Sequence, residues 1–195
     1  MNSFSQIQQH VIAKLQKGLS SDLTYHSVSH TLDVLTQSIF IANAEGVDDD
    51  DDLFLLKLAS LYHDVGFLDK YTGHEERSCE IAEKELTAFG LSKAQIDKVC
   101  GMIRATKVPQ NPHTLLEEII CDSDLDYLGR PDFFTIGKGL FNEFMKQKIV
   151  SNDRDWNLLQ IRFLEEHHYF TNTSKKRRQR QKQIHLEAVK EKVHS

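Results

Sequence analysis

The sequence predicts an all-α fold, and three features carry that expectation. Apolar residues recur at helical spacing in segment after segment, from Phe4, Ile7, Val11 and Leu15 to Trp156, Leu159, Phe163 and Leu164. No stretch alternates apolar and polar residues over a useful length, and no Asn-Gly or Asp-Gly pair marks a hairpin. Finally, Leu53 to Gly66 is apolar almost all the way round a helix, which places it in the middle of a fold rather than on its surface.

In order along the chain, Phe4 to Leu15 form the first expected helix, closed by Gly18. Ser27 or Ser29 caps the next, which carries Leu32, Leu35, Ile39 and Ile41 and runs to about Glu45. The aspartates from Asp48 to Asp52 lack the spacing and terminal Glu of a calcium loop, so they read as acidic residues favouring the start of the central helix. Gly66 is the expected stop of that helix. Phe67 to Gly73 is a loop, and His74 opens a helix lined by Ser78, Ile81, Ala82, Leu86 and Phe89. Ser92 caps another, with Ile96, Val99, Cys100 and Ile103, ending near Thr106. The prolines in Val108 to Pro112 force a loop. Leu115 to Leu128 is expected as a single helix, broken by Gly129 to Asp132. Phe133 to Val150 and Arg154 to Tyr169 complete a domain spanning 1–170, with a basic helix or tail over 171–195 packed on it or extending from it.

Composition bounds the function. A length of 195 residues fits one domain, and no internal repeat is visible. A net charge of −5 argues against general nucleic-acid binding. Cys79, Cys100 and Cys121 are odd in number and unpaired in spacing, which suits reduced thiols filling a core. The first residues lack an apolar leader, and no run is long enough to cross a bilayer. A cytoplasmic protein without a membrane partner is the expectation.

The central helix ends in an anomaly. His63 and Asp64 stand where the pattern predicts the deepest burial. Burying an imidazole and a carboxylate is costly unless something pairs with them, and a metal ion pairs with both. Other groups that metals favour lie at His26 and His30, at His74, and at Asp122, Asp124 and Asp126. A lone histidine on an apolar face is more often a hydrogen-bonded core residue than a ligand. Placement argues otherwise here: His30 opens a helix, His63-Asp64 closes one, and Asp122 and Asp124 interrupt an apolar face after Ile119-Ile120. Such a nitrogen and oxygen set suits Mn, Fe, Co, Ni or Zn.

The order of these residues, and the phrasing YHSVSHTLDV, ASLYHDVG, GHEERS and CDSDLDYLG, resembles the HD-domain superfamily of metal-dependent phosphohydrolases over about Leu23 to Gly129. The resemblance implies a compact helical domain with a metal site between central helices. His30, His63, Asp64 and Asp124 would hold one divalent ion, which could be Mn, Fe, Co, Ni, Zn or Mg; Asp122 would orient a ligand or hold water. Asp64 would also position or deprotonate the attacking water. His26, four residues before His30, sits as in the HNxxH of cyclic-nucleotide phosphodiesterases, where the earlier histidine protonates the leaving oxygen. Ser27 replaces the asparagine, so His26 reads either as a general acid or as a histidine that hydrogen-bonds beside the site. His74 would take a catalytic or substrate role, binding a phosphate oxygen or a second metal. Two-metal forms add histidines near what are here Arg104 to Lys107, and this chain has none there. Lys107 and Arg104 would instead bind substrate phosphate.

The implied function is hydrolysis of a phosphoester of a small molecule, with a nucleotide as the expected substrate and a homodimer left open. A metal- or nucleotide-binding sensor without turnover is the alternative, and a diiron oxygenase a more distant one. Lys175 to Lys182 hold six positive charges in eight residues. They suit a solvated helix face balancing an acidic body, a fold-back to substrate phosphate or, least well, a nucleic-acid surface.

Overall fold

The computed structural model describes residues 3–194. Among them the regular structure is helical: α1 (Phe4–Gly18), α2 (Val28–Ala44), α3 (Asp50–Tyr62), α4 (His74–Ala88), α5 (Lys93–Ala105), α6 (Leu115–Asp124), α7 (Phe133–Lys146), α8 (Asp153–Glu166) and α9 (Asn172–His194). Short 3-10 turns occupy Val65–Leu68 and Asp126–Gly129. No helix among these residues is long and apolar enough to cross a membrane.

Helix starts follow the sequence. Ser3 with Gln6 and Ser92 with Gln95 form capping boxes, while Ser27, Asp49 and Thr114 cap α2, α3 and α6 through their side chains. Three aspartates lie in the first turn of α3, where the helix dipole favours negative charge. Leu56, Leu58, Ala59 and Leu61 of α3 are fully buried, and α2, α5, α6 and α1 pack around them. One large core joins α1 to α6; smaller clusters join α7, α8, α9 and the turn at Asp126–Gly129.

Helices α7 and α8 end at Lys146 and Glu166, short of the expected Val150 and Tyr169, and two further boundaries differ from the sequence reading. The central helix ends at Tyr62, and the chain continues through Gly66 as a 3-10 turn, so Gly66 is not the helix stop. Its role is steric: a Cβ there would lie 2.0 Å from the His74 carbonyl oxygen, so only glycine lets the start of α4 come this close to the end of α3. The expected helix Leu115 to Leu128 is divided, with α6 ending at Asp124 and a 3-10 turn following. There a Cβ on Gly129 would lie 2.4 Å from the Arg178 carbonyl oxygen, so this glycine admits α9 against the turn.

Helix α9 is an integral layer. Leu186 and Val189 are buried, and the Arg178 guanidinium grips the fully buried Asp126 with contacts of 2.7 and 2.9 Å. Lys182 donates to the Leu164 and His167 carbonyls, Lys175 donates to the Phe170 carbonyl, and Arg177 lies over the Phe40 ring. These basic side chains bind the body of the protein in several directions and do not form one patch. None of them lines the cavity described below, which gives the fold-back to substrate phosphate no support. Cys79, Cys100 and Cys121 are buried free thiols.

Candidate metal centre

Helix ends converge on the site. His30 lies in the first turn of α2, its backbone N–H donating to the Ser27 cap. His63 directly follows α3 and still has helical dihedrals; Asp64 precedes the 3-10 turn. Asp124 is the last residue of α6. The C-terminal ends of α3 and α6 therefore meet here, and their carbonyl dipoles favour a cation.

The ligand atoms face one another. His30 Nε2 lies 3.3 Å from His63 Nε2, 3.1 Å from Asp124 Oδ1 and 3.4 Å from Asp64 Oδ2. His63 Nε2 lies 3.2 Å from Asp64 Oδ2 and 3.7 Å from Asp124 Oδ1. Ligands about 2.1 Å from a common centre are themselves about 3.0 to 3.4 Å apart, so all of these spacings but the longest match the edges of a coordination polyhedron. The His63 ring is set for this role, because Nδ1 donates to the Ser60 carbonyl at 2.9 Å and turns Nε2 toward the cluster. Asp64 Oδ2 is buried without a hydrogen-bond donor, which a cation would satisfy. Among the described residues, His30, His63 and Asp124 form one group able to hold a metal ion, and Asp64 closes its remaining side.

The electrostatics agree with the geometry. Burial opposes charge on His63, but Asp64 and Asp124 outweigh it and push the imidazole well above its usual range. Burial likewise raises Asp64 and Asp124, yet the neighbouring imidazoles hold both carboxyls far below the usual carboxylate range. The centre stabilises positive charge and keeps its carboxylates ionised.

Around it lies a second set of contacts that the sequence reading missed. Glu143 of α7 is fully buried and accepts from the backbone N–H groups of Tyr25 and His26 at 3.0 and 3.2 Å, from the Tyr71 hydroxyl at 2.8 Å, and from His26 Nδ1. Burial lowers the His26 pKa, but the carboxylates of Glu143, Asp64 and Asp124 together outweigh it, and the net shift is upward. The signal for Glu143 was present: it falls in the apolar stripe of Phe133, Ile136 and Leu140, as Asp122 and Asp124 do in theirs. Phe67 is sandwiched between the His26 and His74 rings, with centroid separations of 4.1 and 3.9 Å. His74 Nδ1 donates to the Tyr71 carbonyl, leaving Nε2 3.5 Å from Asp64 Oδ1.

A cavity of about 590 Å³ opens beside the centre, lined at its polar end by His26, Asp64, His74, Glu75, Lys107 and Asp124. Arg104 is not among the lining residues; its guanidinium engages Glu76 at the surface, with contacts of 2.9 Å. Asp122 faces away from the centre. Its oxygens accept from the backbone of Phe170 and Thr171 and from the Thr171 hydroxyl at 2.7 to 2.8 Å, tying the start of α9 to α6. The expectation that Asp122 orients a ligand gives way to this tether.

A family model described as "HD domain" matches residues 28–126. The fold is similar to that in the crystal structure of a protein described as a predicted HD superfamily hydrolase from an uncultured Thermotogales bacterium. That likeness has a TM-score of 0.63 and 20% identity, covering 100% of this chain and 98% of the other. No curated protein matches the chain.

Proposed function

This chain belongs to the HD-domain family, and from that premise we propose that it is a metal-dependent phosphohydrolase acting on a phosphoester of a small molecule. The observation that carries the proposal is the convergence of His30, His63, Asp64 and Asp124 beside an open cavity, with Asp64 Oδ2 lacking a donor. A divalent ion held by these side chains supplies a Lewis acid that acidifies water and offsets phosphoryl charge.

The remaining roles belong to the chain's own residues. Asp64 Oδ1, facing His74, is placed to orient the attacking water. His74 Nε2 and Lys107 line the same wall and bind phosphoryl oxygens. As water attacks phosphorus, the ester P–O bond breaks and the leaving oxygen takes a proton from His26. His26 suits this step because Glu143 holds its Nδ1, keeping the ring oriented and its acidic proton on Nε2, toward the cavity. The phosphodiesterase-like general-acid reading is thereby favoured over a merely structural histidine.

The substrate suggested by the family resemblance is a nucleotide, and it belongs in the first assay. Metal analysis of untreated protein, followed by a panel of nucleotides and other phosphoesters with that metal restored, tests the proposal. We expect about one ion per chain and phosphate release that chelation abolishes. Metal-loaded protein that cleaves no phosphoester would sink it and favour a sensor. Iron near two per chain would favour the oxygenase.

A further inference from the structure

The shape and charge of the cavity point to a substrate with one phosphoryl group on an apolar body; we infer that the chain hydrolyses phosphomonoesters of apolar alcohols. This rests on the phosphohydrolase reading above and narrows its substrate class.

Beyond the polar end, the cavity continues into an arm walled by Phe133, Leu140 and Phe144 of α7 and Trp156, Leu159 and Phe163 of α8. Such an arm rewards burial of apolar surface. It offers little to read a base or a sugar. The hydrogen-bonding side chains that α7 and α8 contribute to the lining are Gln160 and the Trp156 indole, and Gln160 Nε2 already donates to Asn157 Oδ1 at 3.3 Å. A nucleobase or polyol entering the arm would lose water from donors and acceptors that find no partner, which is unfavourable.

Charge selects the other end of the substrate. The lining carries the carboxyls of Asp64, Glu75 and Asp124 and, as a permanent cation, Lys107. A divalent ion brings this wall close to neutrality, so a single phosphoryl group is accommodated. A triphosphate would bring further negative charge, and the lining holds no second Lys or Arg to meet it. Arg104 is engaged with Glu76, Arg178 with Asp126, and Lys182 with backbone carbonyls.

Two measurements on the intact metal-loaded protein test the inference. In the first, butyl, hexyl and octyl phosphate are compared with ribose 5-phosphate, AMP and ATP. We expect kcat/KM to rise along the alkyl series by roughly threefold per methylene and to exceed that of the polar esters. In the second, octylphosphonate and methylphosphonate are titrated while the emission of Trp156, the only tryptophan, is followed. A saturable change with octylphosphonate and none with methylphosphonate is expected, because only the long chain reaches the α8 wall. Turnover of nucleotides or ribose 5-phosphate with a flat alkyl series and a silent Trp156 overturns the inference and leaves the phosphohydrolase reading standing. If no ester is cut, that reading fails and the inference falls with it.

Discussion

Helices α2, α3 and α6 meet at their ends around a cluster of imidazole and carboxylate atoms, whereas α7 and α8 face each other across an apolar arm. The first region is anchored in the large core joining α1 to α6, with the ligand-bearing end of α3 fully buried. The second rests on smaller clusters and leaves Phe134, Ile149 and Leu158 about half exposed. Coordination tolerates displacements of only a few tenths of an ångström, while an apolar pocket accepts any body of fitting size. The contrast therefore separates a tightly packed cluster, to which we assign the chemistry, from an apolar arm, to which we assign the choice of substrate. Glu143 crosses the divide: it is held in α7 but acts on His26, beside the metal centre.

The severest test of this division is His63→Ala. Metal retention and turnover should fall together, turnover by at least about a thousandfold, as read by metal analysis and phosphate release. Retained metal would show that the cluster is not organised around His63. Arg178→Ala strips the closer cationic partner from Asp126, which has no exposed surface, and leaves Arg130 at 3.8 Å. It should cost about 3 kcal/mol, or a fall in Tm of roughly 8 °C, with the metal content of the folded fraction unchanged. Loss of metal from folded protein would mean that α9 supports the centre as well as the fold.

Glu143→Gln addresses the crossing point. Metal should stay bound while kcat drops by roughly a hundredfold. The pH profile gives a readout that loss of stability does not. Burial lowers the His26 pKa and Glu143, with Asp64 and Asp124, more than restores it, so the net shift is upward. A general acid works protonated; turnover is therefore retained below this raised pKa and lost as pH rises through it. Removing the Glu143 charge should move that alkaline limb to lower pH, and an unmoved limb would assign the proton to another group. The smallest effect is expected for Lys107→Ala, where KM for a phosphomonoester should rise about tenfold with kcat little changed. Arg104→Ala should leave both parameters near wild type, since its guanidinium lies on Glu76.

The sequence was most informative where chemistry broke a periodic pattern. His63-Asp64 at the end of an apolar rod, and Asp124 within an apolar face, announced a buried polar centre because nothing else explains them there. Two helix starts were equally plain, since Ser27 and Ser92 are strong caps, whereas Asp49 and Thr114 emerge as caps only in the structure. Less could be read from contacts between distant segments. Gly66 looked like a punctuation mark, yet its function depends on where His74 lies in space. The basic residues of α9 looked like a solvated face because their partners, Asp126 and the Leu164 and His167 carbonyls, come from other elements. Glu143 obeyed the same rule that revealed Asp124, but a single carboxylate far along the chain had no neighbouring histidine to draw notice to it.

The alternate aspartates after Ile120 have consequences for the order in which the protein is made. Asp124 faces the metal centre, but its buried neighbours Asp122 and Asp126 are answered by Thr171 and Arg178, some fifty positions later. While the ribosome is still adding α7 and α8, these carboxylates have no such partners, and burying them would be opposed by their lost hydration. The buried carboxylates beside Asp124 therefore gain these partners only when the last helix has been made. A nascent chain has every candidate ligand long before it has the groups that answer Asp122 and Asp126 from α9 and the residues just before it.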